Sequence, residues 1–159
     1  MSNPLDELYR EIILDHYRAP RGKQPISKVD ITSDGQNPSC GDEIAVQVTM
    51  DDGTVKDVHV DCKGCAISVA SGSMLAEYTK GKSLEEVKKI VGAVKSMLKG
   101  DESEIPAELA DLDALKGVRK FPVRIKCALL AWMTLIEGLK NYENGKGGHQ
   151  KTVSTEDEE

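Results

Sequence analysis

Apolar side chains recur every three or four positions in five stretches of the chain, the spacing that predicts amphipathic helices. Pro4 suits the first turn of the first helix. Ser83 and Glu86 form a capping-box pair that marks another helix start, and Pro122 opens the last helix. The five predicted helices cover about 4–17, 66–80, 83–98, 106–116 and 122–139.

Three shorter stretches show the pattern of β-strands. Apolar and polar residues alternate over 44–50. Asp52 followed by Gly53 is a hairpin turn signal, and 55–61 supplies the returning strand. A short edge strand is expected near Ile31. The sequence therefore predicts an α+β fold in which a small antiparallel three-stranded sheet packs against about five helices.

The folded part is expected to end near residue 143. Residues 1–143 contain all the periodic segments, and this length is enough for a single domain with a buried core. From 144 to 159 the chain is polar and rich in glycine. That composition predicts a disordered tail.

Charge and hydropathy exclude several classes of protein. The net charge is −6 and no basic face stands out, so nucleic acid is not an expected partner. No apolar run approaches the roughly 20 residues of a membrane helix. The N-terminal segment carries acidic residues among its apolar ones and lacks a cleavable signal pattern. The chain is therefore expected in the cytoplasm, without a membrane partner.

Four cysteines supply the candidate chemistry. In a cytoplasmic chain that can build a core, reduced thiols acting as ligands or nucleophiles explain them better than two disulfides. Cys40 lies in a loop flanked by proline and glycine, Cys65 at a helix start, and Cys127 in the first turns of the final helix. Helix starts favour thiolate over thiol. A loop, a strand-to-helix junction and a helix start can meet at one end of an α+β domain.

Three cysteine sulfurs and one carboxylate oxygen would complete a tetrahedral zinc site. The candidate ligands are Cys40, Asp42, Cys65 and Cys127. Four negative ligands exceed the charge of Zn²⁺, and Arg124 and Lys126 lie beside Cys127 to offset part of the excess. The spacing thus predicts a zinc site with basic neighbours.

Other ligand candidates have different explanations. Cys62 forms a CxxC pair with Cys65, but it shares strand parity with Val58 and Val60, which predicts a small buried side chain. The histidines are interpreted as surface residues: His16, His59 and His149.

Three sequence blocks resemble the signature blocks of one known family. The blocks are NPSCGDEI, GCAISVASGSMLAEY and FPVRIKCALLAW, in that order. Together they resemble the IscU/SufU (NifU N-terminal-like) iron–sulfur cluster assembly family, over a span from Leu5 to about Tyr142. The resemblance implies that the metal-site positions are Cys40, Asp42, Cys65 and Cys127.

Departures from the IscU pattern favour the SufU branch of that family. Lys126 stands where IscU-type proteins have histidine. The segment KFPVR at 120–124 corresponds to their chaperone-recognition segment Leu-Pro-Pro-Val-Lys and does not preserve it. Residues 99–117 resemble the insertion that marks the SufU branch.

Resemblance to the SufU branch implies a zinc-dependent sulfurtransferase for iron–sulfur cluster assembly. Such a protein accepts persulfide sulfur from a SufS-type cysteine desulfurase and passes it to a SufBCD-type assembly complex. Cys40 is the implied acceptor, and its loop position suits a thiolate that must attack a persulfide. Two alternatives stay open: a scaffold that assembles a [2Fe-2S] cluster on the same residues, and a structural zinc module. Lys126 disfavours the first, and a carboxylate ligand disfavours the second.

Overall fold

The computed structural model describes residues 4–100, 107–145 and 153–155, with side chains over 7–100, 111–145 and 153–155. The elements are α1 (Pro4–Arg18), β1 (Ile31–Asn37), β2 (Asp42–Asp51), β3 (Thr54–Lys63), α2 (Ala66–Thr79), α3 (Leu84–Leu98), a 3-10 helical segment (Ala107–Lys120), α4 (Pro122–Glu143) and β4 (Val153–Ser154). Among these helices, none combines the length and the apolar character that a bilayer span requires.

The sheet has four strands, not the predicted three, in the order β3-β2-β1-β4. β1, β2 and β3 form the predicted antiparallel meander. β4 pairs in parallel with β1, where Val153 lies opposite Gly35 and Ser154 opposite Gln36. The expectation of a disordered tail is therefore wrong for 153–155, because this segment finds hydrogen-bonding partners on the outer edge of β1. The rest of the tail beyond Gly145 lies outside the described residues.

The core lies between one face of the sheet and the helices, as the α+β prediction requires. α2 and α4 contact each other and both contact the sheet. Trp132 is fully buried at their contact, where its Nε1 donates to Ser71 Oγ at 2.8 Å, and Ser71 Oγ donates to the Ala128 carbonyl at 2.6 Å. The two helices are thus held side by side with their first turns near the same end of the sheet.

Local signals fix the helix ends. The predicted capping box is confirmed: Ser83 Oγ accepts from the Glu86 N–H, and the Glu86 carboxylate accepts from the Ser83 N–H. The helix predicted over 106–116 is a 3-10 helical segment that continues to Lys120. Pro122 opens α4, as predicted.

The interpretation of His16 as a surface residue is wrong. His16 is fully buried, with Nδ1 2.7 Å from Ser73 Oγ and Nε2 3.1 Å from Asp111 Oδ2. These contacts join α1 to α2 and to the 3-10 segment. His59 is half-buried and donates from Nδ1 to the Gln24 carbonyl at 3.0 Å. His149 lies outside the described residues.

Candidate metal centre

Five chain segments meet at one end of the sheet. The turn 38–41 joins the end of β1 to the start of β2, and Glu43 pairs with Lys63, which places the end of β3 beside them. α2 begins directly after Cys65, and Cys127 lies in the second turn of α4. The convergence of a loop, a strand-to-helix junction and a helix start is the arrangement that the sequence predicts.

Cys40 lies on the turn between β1 and β2. The backbone N–H groups of Cys40 and Gly41 both donate to the Asn37 carbonyl, at 3.2 and 2.8 Å. Gly41 has a φ of 76°, a left-handed conformation that lets the chain reverse within this short turn. Cys40 is half-buried, and its Sγ lies 3.5 Å from Cys127 Sγ.

Cys40, Asp42 and Cys127 bring three potential ligand atoms within 4.8 Å of one another. Cys65 adjoins this group, with its Sγ 3.9 Å from Asp42 Oδ2. These four residues are called the sulfur cluster below. Two sulfurs and a carboxylate oxygen in such proximity could hold a metal ion, and Cys65 places a third sulfur next to them.

Asp42 is buried and strongly hydrogen-bonded. Burial opposes its ionisation, but donors from Ser68 Oγ at 2.7 Å, the Cys65 backbone N–H at 2.8 Å and Asn37 Nδ2 at 3.3 Å outweigh burial and lower the pKa of the carboxyl. A Cβ on Gly64 would lie 2.1 Å from Asp42 Oδ1, so this position has no room for a side chain. The carboxylate is therefore ionised and fixed in place.

Cys65 is the N-cap of α2. Its φ and ψ are −70° and 165°, and its Sγ accepts from the Ser68 backbone N–H at 3.5 Å. This places the sulfur at the N-terminus of the helix, the positive end of the helix dipole. One sulfur thus faces both the helix end and the Asp42 carboxylate.

Cys127 is the most buried sulfur of the cluster. Burial, followed by contacts with Cys40 and Asp42, raises the pKa of its thiol. A thiolate here needs positive charge or donors nearby. Asn37 Nδ2 lies 3.4 Å from Cys127 Sγ, and Arg124 Nη1 lies 3.9 Å from Cys40 Sγ at the exposed side of the cluster.

Cys62 lies apart from the sulfur cluster. It is half-buried, pairs across the sheet with Ile44 and packs against the core, as its strand parity predicts. Burial is the main cause that raises the pKa of its thiol to about 12. Among the described residues, the groups of neighbouring potential ligands do not include Cys62.

A second group of potential ligands was not foreseen from the sequence. His16, Glu77 and Asp111 also place ligand atoms within 4.8 Å of one another and are called the histidine cluster below. Its three residues lie on three separate helical elements and share no sequence motif. Asn37 and Ser68, which hold Asp42, were equally unassigned, although Asn37 opens the first signature block.

Comparison with known proteins gives a consistent result. The NifU-like N terminal domain family matches residues 8–148. The chain is 41% identical over 141 residues to the zinc-dependent sulfurtransferase SufU of Bacillus subtilis, covering 89% of this chain and 95% of that one. It is 36% identical over 142 residues to the iron–sulfur cluster assembly scaffold protein IscU of Streptococcus pyogenes, covering 89% of each.

A solved structure supports the same relationship. FiSufU of Fervidobacterium islandicum AW-1, a candidate iron–sulfur cluster assembly scaffold protein for the SUF system, superposes with a TM-score of 0.73 at 29% identity, covering 80% of this chain and 93% of that one. The sequence match extends over nearly all of the described residues, and the fold agrees. The chain therefore belongs to the family of NifU-like N terminal domains.

Proposed function

We propose that the chain is a zinc-dependent sulfurtransferase that accepts persulfide sulfur from a cysteine desulfurase for iron–sulfur cluster assembly. The proposed zinc ligands are Cys40, Asp42, Cys65 and Cys127. The observation that carries the proposal is the position of Cys40: a half-buried sulfur on a turn, beside three ligands held by secondary structure. The similarity to the B. subtilis sulfurtransferase supports the same activity.

The donor set suits zinc. In a tetrahedral site with Zn–S bonds of about 2.3 Å, neighbouring sulfurs lie about 3.8 Å apart. The 3.5 Å separation between Cys40 Sγ and Cys127 Sγ is close to that spacing, and Cys65 Sγ lies 3.9 Å from Asp42 Oδ2. A bound zinc ion would offset the clustered negative charge and keep the cysteines as thiolates at neutral pH.

Sulfur transfer to Cys40 needs only a nucleophilic exchange. The Cys40 thiolate attacks the outer sulfur of the desulfurase persulfide, forms a new S–S bond, and releases the desulfurase cysteine as a thiolate. The proton of the Cys40 thiol is lost to solvent before attack, and no external oxidant is needed. The Arg124 guanidinium lies 3.9 Å from the attacking sulfur and places a positive charge beside the reacting group.

A SufS-type desulfurase is the proposed sulfur donor, and a SufBCD-type assembly complex is the proposed next acceptor. The exposed side of the cluster supports docking there, since Phe121 and Val123 are 59% and 62% exposed on the chain segment that leads into Cys127. Exposed apolar side chains beside a reactive sulfur are typical of a surface that a partner covers.

A scaffold for a [2Fe-2S] cluster is the second candidate function. Thiolates bind iron–sulfur clusters as readily as zinc, and the S. pyogenes relative is a scaffold protein by name. Lys126, next to Cys127, disfavours this candidate because an ammonium group offers no lone pair to a cluster iron.

The function is tested by mixing the zinc-loaded chain with a SufS-type desulfurase and L-cysteine. We expect faster desulfurase turnover, and a mass increase of one sulfur on the peptide that contains Cys40. Cys40→Ser should abolish both effects, because a hydroxyl forms no persulfide. Cys62→Ser, the matched control, should retain both.

Two results would contradict the proposal. Sulfur on Cys65 or Cys127 of an active Cys40→Ser chain would reassign the acceptor. Unchanged desulfurase turnover without any labelled cysteine, together with stoichiometric iron and sulfide in the purified chain, would replace the sulfurtransferase with the scaffold.

A further inference from the structure

The short strand β4 brings a buried hydroxyl to the edge of the sulfur cluster. Val153 and Ser154 pair with β1, and this pairing carries Thr155 alongside Asn37, the last residue of that strand. Thr155 is 1% exposed, and its Oγ1 donates to Asn37 Oδ1 at 3.0 Å. A segment separated from β1 by more than half the chain therefore contacts a residue that borders the proposed ligands.

The Asn37 amide connects Thr155 to the cluster. Asn37 is fully buried, and its Nδ2 lies 3.3 Å from Asp42 Oδ2 and 3.4 Å from Cys127 Sγ. The Asp42 carboxylate only accepts hydrogen bonds, so the amino end of the amide must face it. The carbonyl oxygen then faces Thr155, whose hydroxyl is the donor that this oxygen needs.

Removing that hydroxyl would disturb the amide. A buried amide oxygen without a donor is unfavourable, so the Asn37 side chain would rotate toward another donor. Rotation would carry Nδ2 away from Cys127 and Asp42. Asp42 Oδ2 and Cys127 Sγ would then each lose a donor in a buried setting, where each donor matters most.

We infer that Thr155 is a positioning residue for the sulfur cluster, because it holds the Asn37 amide in the orientation that donates to Cys127 and Asp42. The inference rests on the proposed ligand roles of those two residues. Groups that orient metal ligands in this way typically change metal affinity when they are removed. The C-terminal segment is therefore part of the site.

The first test measures zinc affinity of the full chain by competition with a chromophoric chelator. Thr155→Val keeps the shape of the side chain and removes the hydroxyl, so we expect zinc binding about 10-fold weaker or more. Thr155→Ser keeps the hydroxyl and should bind within about 3-fold of wild type. If Thr155 acted only through packing, Thr155→Ser would weaken zinc binding more than Thr155→Val, because Val preserves the side-chain volume and Ser does not.

The second test asks whether the effect passes through Asn37. In an Asn37→Ala background, Thr155→Val should weaken zinc binding by no more than about 2-fold, because the amide that it positions is gone. The side-chain ¹⁵N–¹H signal of Asn37, identified by its loss in Asn37→Ala, gives a readout on the metal-free chain. That signal should shift in Thr155→Val and stay in place in Thr155→Ser.

Wild-type zinc affinity in Thr155→Val, with an unmoved Asn37 signal, would overturn the inference. So would a loss of affinity that persists undiminished in the Asn37→Ala background. If the wild-type chain bound no zinc, the proposed function would fail by itself. The Asn37 signal would still decide whether Thr155 positions the amide.

Discussion

The sulfur cluster and the histidine cluster both bring potential ligand atoms close together, but they differ in the hydrogen bonds that those atoms make. Each places three potential ligand atoms within 4.8 Å of one another. In the histidine cluster, Nε2 of His16 faces Asp111 at 3.1 Å and Nδ1 faces Ser73 at 2.7 Å. Because a carboxylate only accepts, Nε2 carries a hydrogen and has no lone pair for a metal.

Arg21 makes further contacts with the residues around the histidine cluster. Arg21 Nε lies 3.9 Å from Glu77 Oε1, and the Arg21 backbone N–H donates to Ser73 Oγ. In the sulfur cluster, by contrast, the Sγ atoms of Cys40 and Cys127 face each other, and one guanidinium stands at the rim. Two sulfurs in contact beside a carboxylate are typical of zinc ligands, whereas the paired donors and acceptors around His16 are typical of a structural clamp.

The largest expected effect is the loss of zinc from Cys127→Ala. Removal of a proposed ligand should leave the chain with little bound zinc. Because zinc binding and folding are linked, the chain should also become less stable. The loss should cost about 4 kcal/mol of unfolding free energy at a free zinc concentration of a thousand times Kd. Elemental analysis and urea unfolding, with and without chelator, measure both quantities.

Cys62→Ala is the matched control for that experiment. It removes a sulfur outside the sulfur cluster and should keep one zinc per chain. Metal loss from Cys62→Ala with retention in Cys65→Ala would reverse the assignment of the CxxC pair.

A smaller effect is expected from His16→Ala, which tests the clamp. The change leaves a cavity and unpaired partners, so the unfolding free energy should fall by about 2–4 kcal/mol while zinc content stays the same. His59→Ala, at a half-buried position, should cost less than about 1 kcal/mol. A drop in zinc content from two ions to one in His16→Ala would show that the histidine cluster binds metal after all.

The smallest effect concerns thiol reactivity in the metal-free chain. A pKa of about 12 for Cys62 leaves roughly one part in 10,000 as thiolate at pH 8. Iodoacetamide should therefore label Cys40 before Cys62, and the rate at Cys62 should rise with pH toward 12. Peptide mass spectrometry over a time course measures both rates. If Cys62 were labelled faster than Cys40 at pH 8, Cys62 would be a reactive thiol and the expected order would be wrong.

Features with local causes were predictable from the sequence. The capping box of α3 depends on two residues three positions apart, and the hairpin between β2 and β3 depends on one dipeptide. The candidate ligands were predictable because helix starts and a turn carry their own sequence signals. The resemblance of three sequence blocks to one family then implied that these candidate ligands belong to a single site.

Features with distant partners were not predictable. The buried state of His16 depends on partners 57 and 95 positions away, although its spacing from Ile12 and Ile13 places it on the apolar side of α1. β4 contains a single aliphatic residue, and its place beside β1 follows from the open edge of that strand rather than from any pattern in the tail. The Thr155 contact with Asn37 spans 118 positions.

The lack of room beside Gly64 limits which sequence changes the segment 62–65 can accept. Position 62 is tied to Ile44 across the sheet, position 64 must leave space for the Asp42 carboxylate, and position 65 caps α2. Three closely spaced positions are thus constrained by a strand pairing, by the space that the Asp42 carboxylate needs, and by a helix cap. A one-residue insertion here would shift the helix cap relative to the strand. Steric constraint therefore fixes the spacing between Cys62 and Cys65, although only Cys65 is a proposed ligand.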